Sequence, residues 1–438
     1  MKITNIHVRN FKTFRDCEIG LNDLNVLIGP NASGKSNFLN LFEFLRDISS
    51  FGLEDAISIQ GGSKYIRNIQ VKSSKRLSMK VSSVDFSRTS PIELLSNPAN
   101  KSKFANKFKT GQRQKTGIKF FKFSKFSYEF EISFKDEEKF EITKDELIIH
   151  LDFFDTESGK KKLDTCEVSI SVHRNKVKPV HVSFLKKPET CIIDHPEDIL
   201  SPSLKWIERV FNKKWESKTL LIELSPLLFI FGKLNFSDIA IYDFDPKLAK
   251  KAIPVSGKME LDVDGANLAL VLNKILSDKQ KRTDFNKMIT RLLPFVKDVS
   301  PETYHGKHLI FRIEEEYSKD EYLPAFLLSD GTVNVIALIV SLGLKRGPLF
   351  FEEPERNLHP RLISRLMELL KERSVKKQIF ITTHNPQFVK YSDPKDLLLI
   401  SRDVDGFSRI SRPAKKTEVQ AFLKNDLGMD DLFVQGLL

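Results

Sequence analysis

One octapeptide near the start restricts the fold more than any other part of the chain: Gly29-Pro30-Asn31-Ala32-Ser33-Gly34-Lys35-Ser36 spells GxxxxGKS, a phosphate-binding loop. A glycine-rich turn of this kind points successive backbone N–H groups inward as an anion nest, and the following helix adds the positive end of its dipole. Such a loop needs a buried strand before it and a helix after it, and both are legible. Leu24-Asn25-Val26-Leu27-Ile28 reads as a short buried strand, and Asn37 to Leu45 as an apolar helix. The loop, continued by Asn37, is expected to hold a nucleoside triphosphate. Lys35 would reach the β and γ phosphates while the Ser36 hydroxyl ligates Mg2+.

Far along the chain, Pro348-Leu349-Phe350-Phe351-Glu352-Glu353-Pro354 ends an apolar run on two adjacent carboxylates, in the manner of a Walker B strand. A buried parallel strand delivers its last residues to the sheet edge beside the loop. There Glu352 would hold the magnesium water shell and Glu353 would orient the attacking water. Gln378 to Thr383 reads as a further buried strand, followed directly by His384, whose imidazole can hydrogen-bond a γ-phosphate. Walker B strands usually carry Asp where this chain has Glu352, longer by one methylene. Magnesium accepts either carboxylate through an adjusted water, so slow turnover and binding without turnover both stay open.

Five features in order resemble one known group. They are the opening Val8-Arg9-Asn10-Phe11-Lys12-Thr13-Phe14, the GPNASGKSN loop, Leu328-Ser329-Asp330-Gly331-Thr332, FEEPERNLHP from Phe351 to Pro360, and TTHNP from Thr382 to Pro386. Together they resemble the ATP-binding-cassette (ABC) ATPases of the RecF, structural-maintenance-of-chromosomes (SMC) and OLD type. The likeness spans nearly the whole chain, through a tail marked by Val404-Asp405-Gly406, Leu427-Gly428 and Gly436. It implies an α/β fold, a P-loop NTPase of ABC type with a mixed central sheet, and ATP and Mg2+ as cofactors. It also implies Glu353 and His384 as catalytic residues and Ser36 and Glu352 as metal ligands. LSDGT stands where transporter cassettes carry LSGGQ, before a predicted helix from Val333 to Leu344. In the resembled group, Ser329 and Gly331 of one copy would cap the γ-phosphate held by Lys35 of another, so an ATP-dependent homodimer or higher oligomer is expected. Glu355-Arg356-Asn357-Leu358-His359 occupies the D-loop position, and His359 is either a contact to a second copy or simply a helix start. Asp262 to Ala269 resembles a DGxNLA segment of OLD-like ATPases. The Q-loop glutamine is open among Gln60, Gln70, Gln112 and Gln114, and Arg9 and Lys12 either face the nucleotide or are solvated strand-end charges.

The 438 residues exceed what a single hydrophobic core usually spans. The expected organisation is an N-terminal half of the ATPase at 1–62, a β-rich lobe at 63–190, a helical lobe at 191–300 and a C-terminal half at 301–438. Because the loop and the acid pair must share one sheet, the middle is read as an insertion. Phe126 to Ile132 and Glu167 to Val172 alternate like strands of an antiparallel sheet. Asn267 to Leu276 reads as a helix, and so does His359 to Arg373, whose Leu362, Ile363, Leu366, Met367, Leu369 and Leu370 form a core face. No heptad run is sustained, which excludes the long arms of the chromosome-maintenance branch.

Lysine and arginine total 70 against 58 acids, a net charge of +12. The excess is uneven. No acid stands between Glu93 and Glu129, while Lys101, Lys103, Lys107, Lys109, Arg113, Lys115, Lys119, Lys122 and Lys125 accumulate among Phe104, Phe108, Phe120, Phe121, Phe123 and Phe126. This stretch is either a phosphate-backbone contact with stacking on unpaired bases, hence DNA, or a solvated loop whose phenylalanines point into the lobe. Cys17, Cys166 and Cys191 have no metal-ligand spacing and fit a reducing compartment. With no signal-peptide pattern and no apolar run of membrane-spanning length, the expectation is a cytoplasmic protein with no membrane partner. No acidic cluster after His384 suggests a fused nuclease, so a separate effector or nuclease protein is the expected partner. That combination resembles the ATPase subunits of bacterial anti-phage defence systems. The alternatives are a RecF-like repair ATPase that clamps DNA and an ATP-gated scaffold with negligible turnover.

Overall fold

A computed structural model describes residues 2–71, 76–84, 90–91, 120–135, 139–154, 162–172, 180–186, 218–223, 236–304, 306–318, 321–344, 347–415 and 428–435. The basic run 101–119, Gln112, Gln114, Cys191, Leu427 and Gly436 lie outside these residues. In chain order the strands are β1 (Lys2–Phe11), β2 (Phe14–Gly20), β3 (Leu24–Ile28), β4 (Leu77–Val84), β5 (Ser90–Pro91), β6 (Phe120–Phe134), β7 (Phe140–Phe154), β8 (Lys162–Val172) and β9 (Val180–Lys186). They continue with β10 (Ala240–Tyr242), β11 (Ile253–Pro254), β12 (Val296–Tyr304), β13 (His308–Glu315), β14 (Tyr322–Pro324), β15 (Leu349–Glu352), β16 (Ile379–Thr383), β17 (Leu397–Arg402) and β18 (Ser408–Ser411). The chain divides into two compact units, the first made of Met1–Leu21 with Asn40–Ser237 and the second of Asn22–Leu39 with Asp238–Leu438.

The first unit is built on one antiparallel sheet in the order β2-β1-β4-β6-β7-β8-β9, with β5 beside β6. Period-2 alternation gives it one buried face: Leu77, Met79 and Val81 of β4 are buried, as are Phe126, Tyr128, Phe130 and Ile132 of β6. Cross-strand partners on that face match large with large, as in Met79 opposite Phe130 and Phe126 opposite Ile149. Phe123 and Phe126 are both buried, so these two aromatics of the basic stretch belong to the core and offer no surface for stacking on bases. The N-terminal segment is divided, because β1 and β2 join this sheet while β3 does not.

The second unit holds a mixed sheet in the order β10-β15-β16-β3-β17-β18. Its first five strands run parallel, and β18 closes the edge antiparallel. Every residue of β3 and of β16 is buried, as parallel strands covered on both faces require. On one face Val26, Phe351, Ile381 and Leu399 join a core shared with the helices Leu268–Ser277, Asp330–Leu344 and Pro360–Ser374. On the other, Phe350 stacks on Phe380 with ring centroids 4.2 Å apart, and Phe38 lies 6.5 Å from Phe380. Ile363, Leu366, Met367, Leu369 and Leu370 are buried on Pro360–Ser374, each stabilising the unit by about 1.5–3 kcal/mol. A smaller sheet, β11-β13-β12 with β14 on β13, packs with Leu268–Ser277 and Lys279–Leu292.

Within the stretch 191–300 expected to be helical, Ala240–Tyr242 is a strand. It pairs parallel with β15, so Ala240 lies opposite Leu349 and Tyr242 opposite Phe351. Three residues are too few to carry a period, and the strand exists because Tyr242 stacks with Phe351 at 5.8 Å and all three of its residues are buried. Among the described residues no helix is long and apolar enough to cross a membrane.

Candidate active site

The carboxyl ends of the parallel strands in the second unit converge on one cleft of about 400 Å³. Register explains the convergence: Glu352 is level with Thr382, and Thr383 with Ile28, so the acids, the histidine and the glycine loop leave the sheet at one edge. Asn31, Ala32, Gly34, Lys35, Ser36, Asn37, Glu352, Glu353, Thr382, His384 and Arg402 line the cleft. The two motifs remote in sequence therefore meet, and they touch: Ser36 Oγ donates to Glu352 Oε1 at 2.9 Å.

The loop is shaped by backbone constraints. A Cβ on Gly29 would lie 2.1 Å from the carbonyl oxygen of Ile400, so only glycine lets the loop leave β3 this close to β17. Ala32 takes a φ of +59°, one of few non-glycine residues in the left-handed region. Lys35 is buried, and its Nζ donates to Gly29 O at 2.8 Å and Pro30 O at 2.9 Å. Burial lowers its pKa, and the charges of Glu353 and Glu352 oppose that shift. Pro30, Ser33 and Gly29 do not line the cleft; they shape the turn, with Ser33 N donating to Pro30 O at 3.3 Å.

The acids are held by side chains. Glu353 sits just past β15 with a φ of +42°, its backbone N–H donating to Thr382 O at 2.9 Å. One carboxylate oxygen lies 3.3 Å from His384 Nε2 and the other accepts from Arg356 Nε at 2.9 Å. Arg356 Nη1 donates in turn to Asp243 Oδ1 at 2.6 Å. His384 has its pKa lowered, first by burial and then by the charge of Lys35, which favours the neutral imidazole. Glu352 is raised by burial, against the hydrogen bond from Ser36. Behind them Glu355 is buried and accepts from Thr383 Oγ1, which itself accepts from Asn385 N at 2.9 Å, so the pair brackets His384. Burial pushes Glu355 up to about 7.

Ser329 and Gly331 do not line the cleft. Ser329 accepts from Thr332 N at 3.1 Å, the N-cap geometry of the helix Asp330–Leu344. A Cβ on Gly331 would meet Asn357 O at 2.4 Å, and Asn334 Nδ2 donates to Arg356 O at 2.9 Å, so the signature turn and the D-loop of the same chain are packed backbone to backbone. His359 caps Pro360–Ser374 through a 3.3 Å bond from Arg361 N to its Nδ1, the helix-start role. The DGxNLA segment is a brace: Asn267 binds Lys258 O, Glu260 O and Asp262 N, while Asp243 N donates to Val263 O at 2.9 Å, fixing the residue that anchors Arg356. In the first unit, Arg9 pairs with Asp16 at 3.1 Å and Lys12 donates to Asn40 at 2.6 Å.

Sequence reasoning did not single out Asp243, the side chains of Arg356 and Glu355, or Arg402. Arg356 and Glu355 stood inside a quoted motif, whereas nothing in sequence distinguishes Asp243 or Arg402. A hydroxyl and a carboxylate in contact suit a hard divalent cation that keeps most of its waters, and no cluster of three acidic, His or Cys side chains that could cage a metal exists among the described residues.

A mixed sheet with this loop, acid pair and histidine on one edge defines a P-loop nucleotide-binding domain of the ABC ATPase type. The chain belongs to the family described as "AAA domain, putative AbiEii toxin, Type IV TA system", whose model matches residues 24–151 and 234–390. It is 44% identical over 54 residues to Endonuclease GajA of Bacillus cereus (strain VD045), a match covering 12% of this chain and 9% of that protein. Among solved structures, the SMC head domain from Thermotoga maritima covers 94% of this chain and 99% of its own at 14% identity, with a TM-score of 0.41. The SMC head bound to the C-terminal winged-helix domain of ScpA covers 94% and 98% at 12% identity, with a TM-score of 0.42.

Proposed function

We propose that the chain binds MgATP in this cleft and hydrolyses it, with Glu353 taking the proton of the attacking water. The observation that carries the reading is the 2.9 Å hydrogen bond from Ser36 to Glu352, which joins residues 316 positions apart. Ser36 and Glu352 would hold Mg2+, whose charge offsets that of the phosphate oxygens. Lys35 exchanges its two carbonyl partners for phosphate oxygens, a gain in charge-assisted bonding. Arg356 and His384 hold one oxygen of Glu353 each, aiming the carboxylate at the water's position.

Ser329 and Gly331 stand away from the cleft lining, which supports a site completed by a second copy whose signature turn covers the γ-phosphate end. Association and hydrolysis would then signal to DNA or to a separate effector nuclease, in anti-phage defence; the short identity with Endonuclease GajA supports that direction. Two variants test the reading. Lys35→Ala should abolish ATP binding in calorimetry, and unchanged affinity removes the site. Glu353→Gln should retain ATP, lose turnover by about a hundredfold or more, and elute as a larger species with ATP; undiminished turnover removes Glu353 as base.

A further inference from the structure

We infer that Arg402 is a nucleotide-binding residue, its guanidinium face forming the platform on which the base of the bound triphosphate stacks. The inference rests on the triphosphate reading of the cleft. Position along the sheet edge sets the direction. The strands run β15, β16, β3, β17, and Arg402 is the last residue of β17. With neighbouring strands about 4.8 Å apart, the acids lie two spacings to one side of the loop-bearing strand and Arg402 one spacing to the other. A triphosphate whose γ end meets Lys35, Glu353 and His384 therefore carries its nucleoside toward Arg402.

The arginine is held as a platform would be. Nε donates to Ala32 O at 2.9 Å and Nη1 to Gly406 O at 2.6 Å, so two neutral carbonyls fix the guanidinium plane at the cleft wall. No carboxylate pairs with it among the described residues. In the same hairpin Arg409 takes the local acid, Asp403, at 2.9 Å. Arg402 is exposed, and an immobilised planar cation without an acid partner stacks readily on an aromatic ring.

Calorimetric titration with Mg2+ and either ATP or inorganic tripolyphosphate tests this, because tripolyphosphate fills the loop and lacks a base. Arg402→Ala and Arg402→Lys should each weaken ATP about tenfold while tripolyphosphate changes by less than about twofold. Parallel loss of both ligands reduces Arg402 to a brace for the loop and overturns the inference. Unchanged ATP affinity in Arg402→Ala overturns it as well, and so does wild-type affinity in Arg402→Lys, which retains the charge without the plane. A wild-type chain that binds neither ligand sinks the triphosphate reading itself, a result distinct from the other three.

Discussion

The turn Gly29 to Gly34, which carries one wall of the cleft, is shaped first by backbone sterics, whereas the segment Glu352 to His359, which carries the acids on the other wall, is held by side chains. On the first, a glycine lies against Ile400 O with no room for a methyl group, and Ser33 N closes the turn on Pro30 O. On the second, a relay of Asp243, Arg356, Glu353 and His384 sets the carboxylates. Backbone geometry of this kind is lost all at once, since sterics leave no intermediate. A side-chain relay yields by degrees, because each member removed leaves the others partly in place. Substitutions on the two walls should accordingly differ in kind as well as in size.

Gly29→Ala should have the largest effect. The new methyl group must displace the backbone of β3 or β17, costing about 3 kcal/mol or more, and both the melting temperature and nucleotide affinity should collapse together. A variant that melts and binds as wild type would erase the contrast. On the other wall, Arg356→Ala removes one of the two groups that orient Glu353 and also strands Asp243 without its partner. Turnover should fall about tenfold with KM for ATP unchanged, and Asp243→Asn should fall less, since Arg356 keeps Glu353. Steady-state kinetics decide it. If KM rises while kcat holds, the relay positions substrate and the distinction between the walls is drawn in the wrong place.

The backbone-held wall is also the one the sequence announces. A glycine turn between a five-residue apolar strand and a helix can be read locally, and so can the apolar run ending at Glu352, because parallel strands buried on both faces show as continuous hydrophobic stretches. The antiparallel lobe is legible for a related reason, since one buried face gives alternation. What could not be read is what depends on partners distant in the chain. Asp243 and Arg356 are separated by 113 positions, and no spacing rule connects them. Ala240–Tyr242 becomes a strand only because β15 lies beside it. Arg402 gains its two carbonyl anchors from a loop 370 residues earlier and a turn four residues later. Ser329 and Gly331 were legible as a motif and expected at a shared site; in their own chain Gly331 packs on Asn357 and Ser329 caps the helix Asp330–Leu344.

The smallest predicted effect probes what the side-chain wall costs in stability. Glu355 is buried, its Oε2 has no hydrogen-bond partner among the described residues, and its pKa stands at about 7 against an ordinary 4.5. The folded state thus holds the proton more tightly than the unfolded chain. Stability from this group is fully present below about pH 4.5 and declines as pH rises from there to about 7, above which it is level. Glu355→Gln keeps an acceptor for Thr383 and removes the titration. The melting temperature of the variant should therefore fall less than that of wild type across this window. At pH 8 its gain should be on the order of 1 kcal/mol, less than the full pKa difference implies because the site can relax around the ionised group. Melting curves at several pH values measure it. Parallel profiles would mean that Glu355 carries no proton in the folded protein near neutrality, and the wall of side chains would then be no more costly to fold than the wall of backbone.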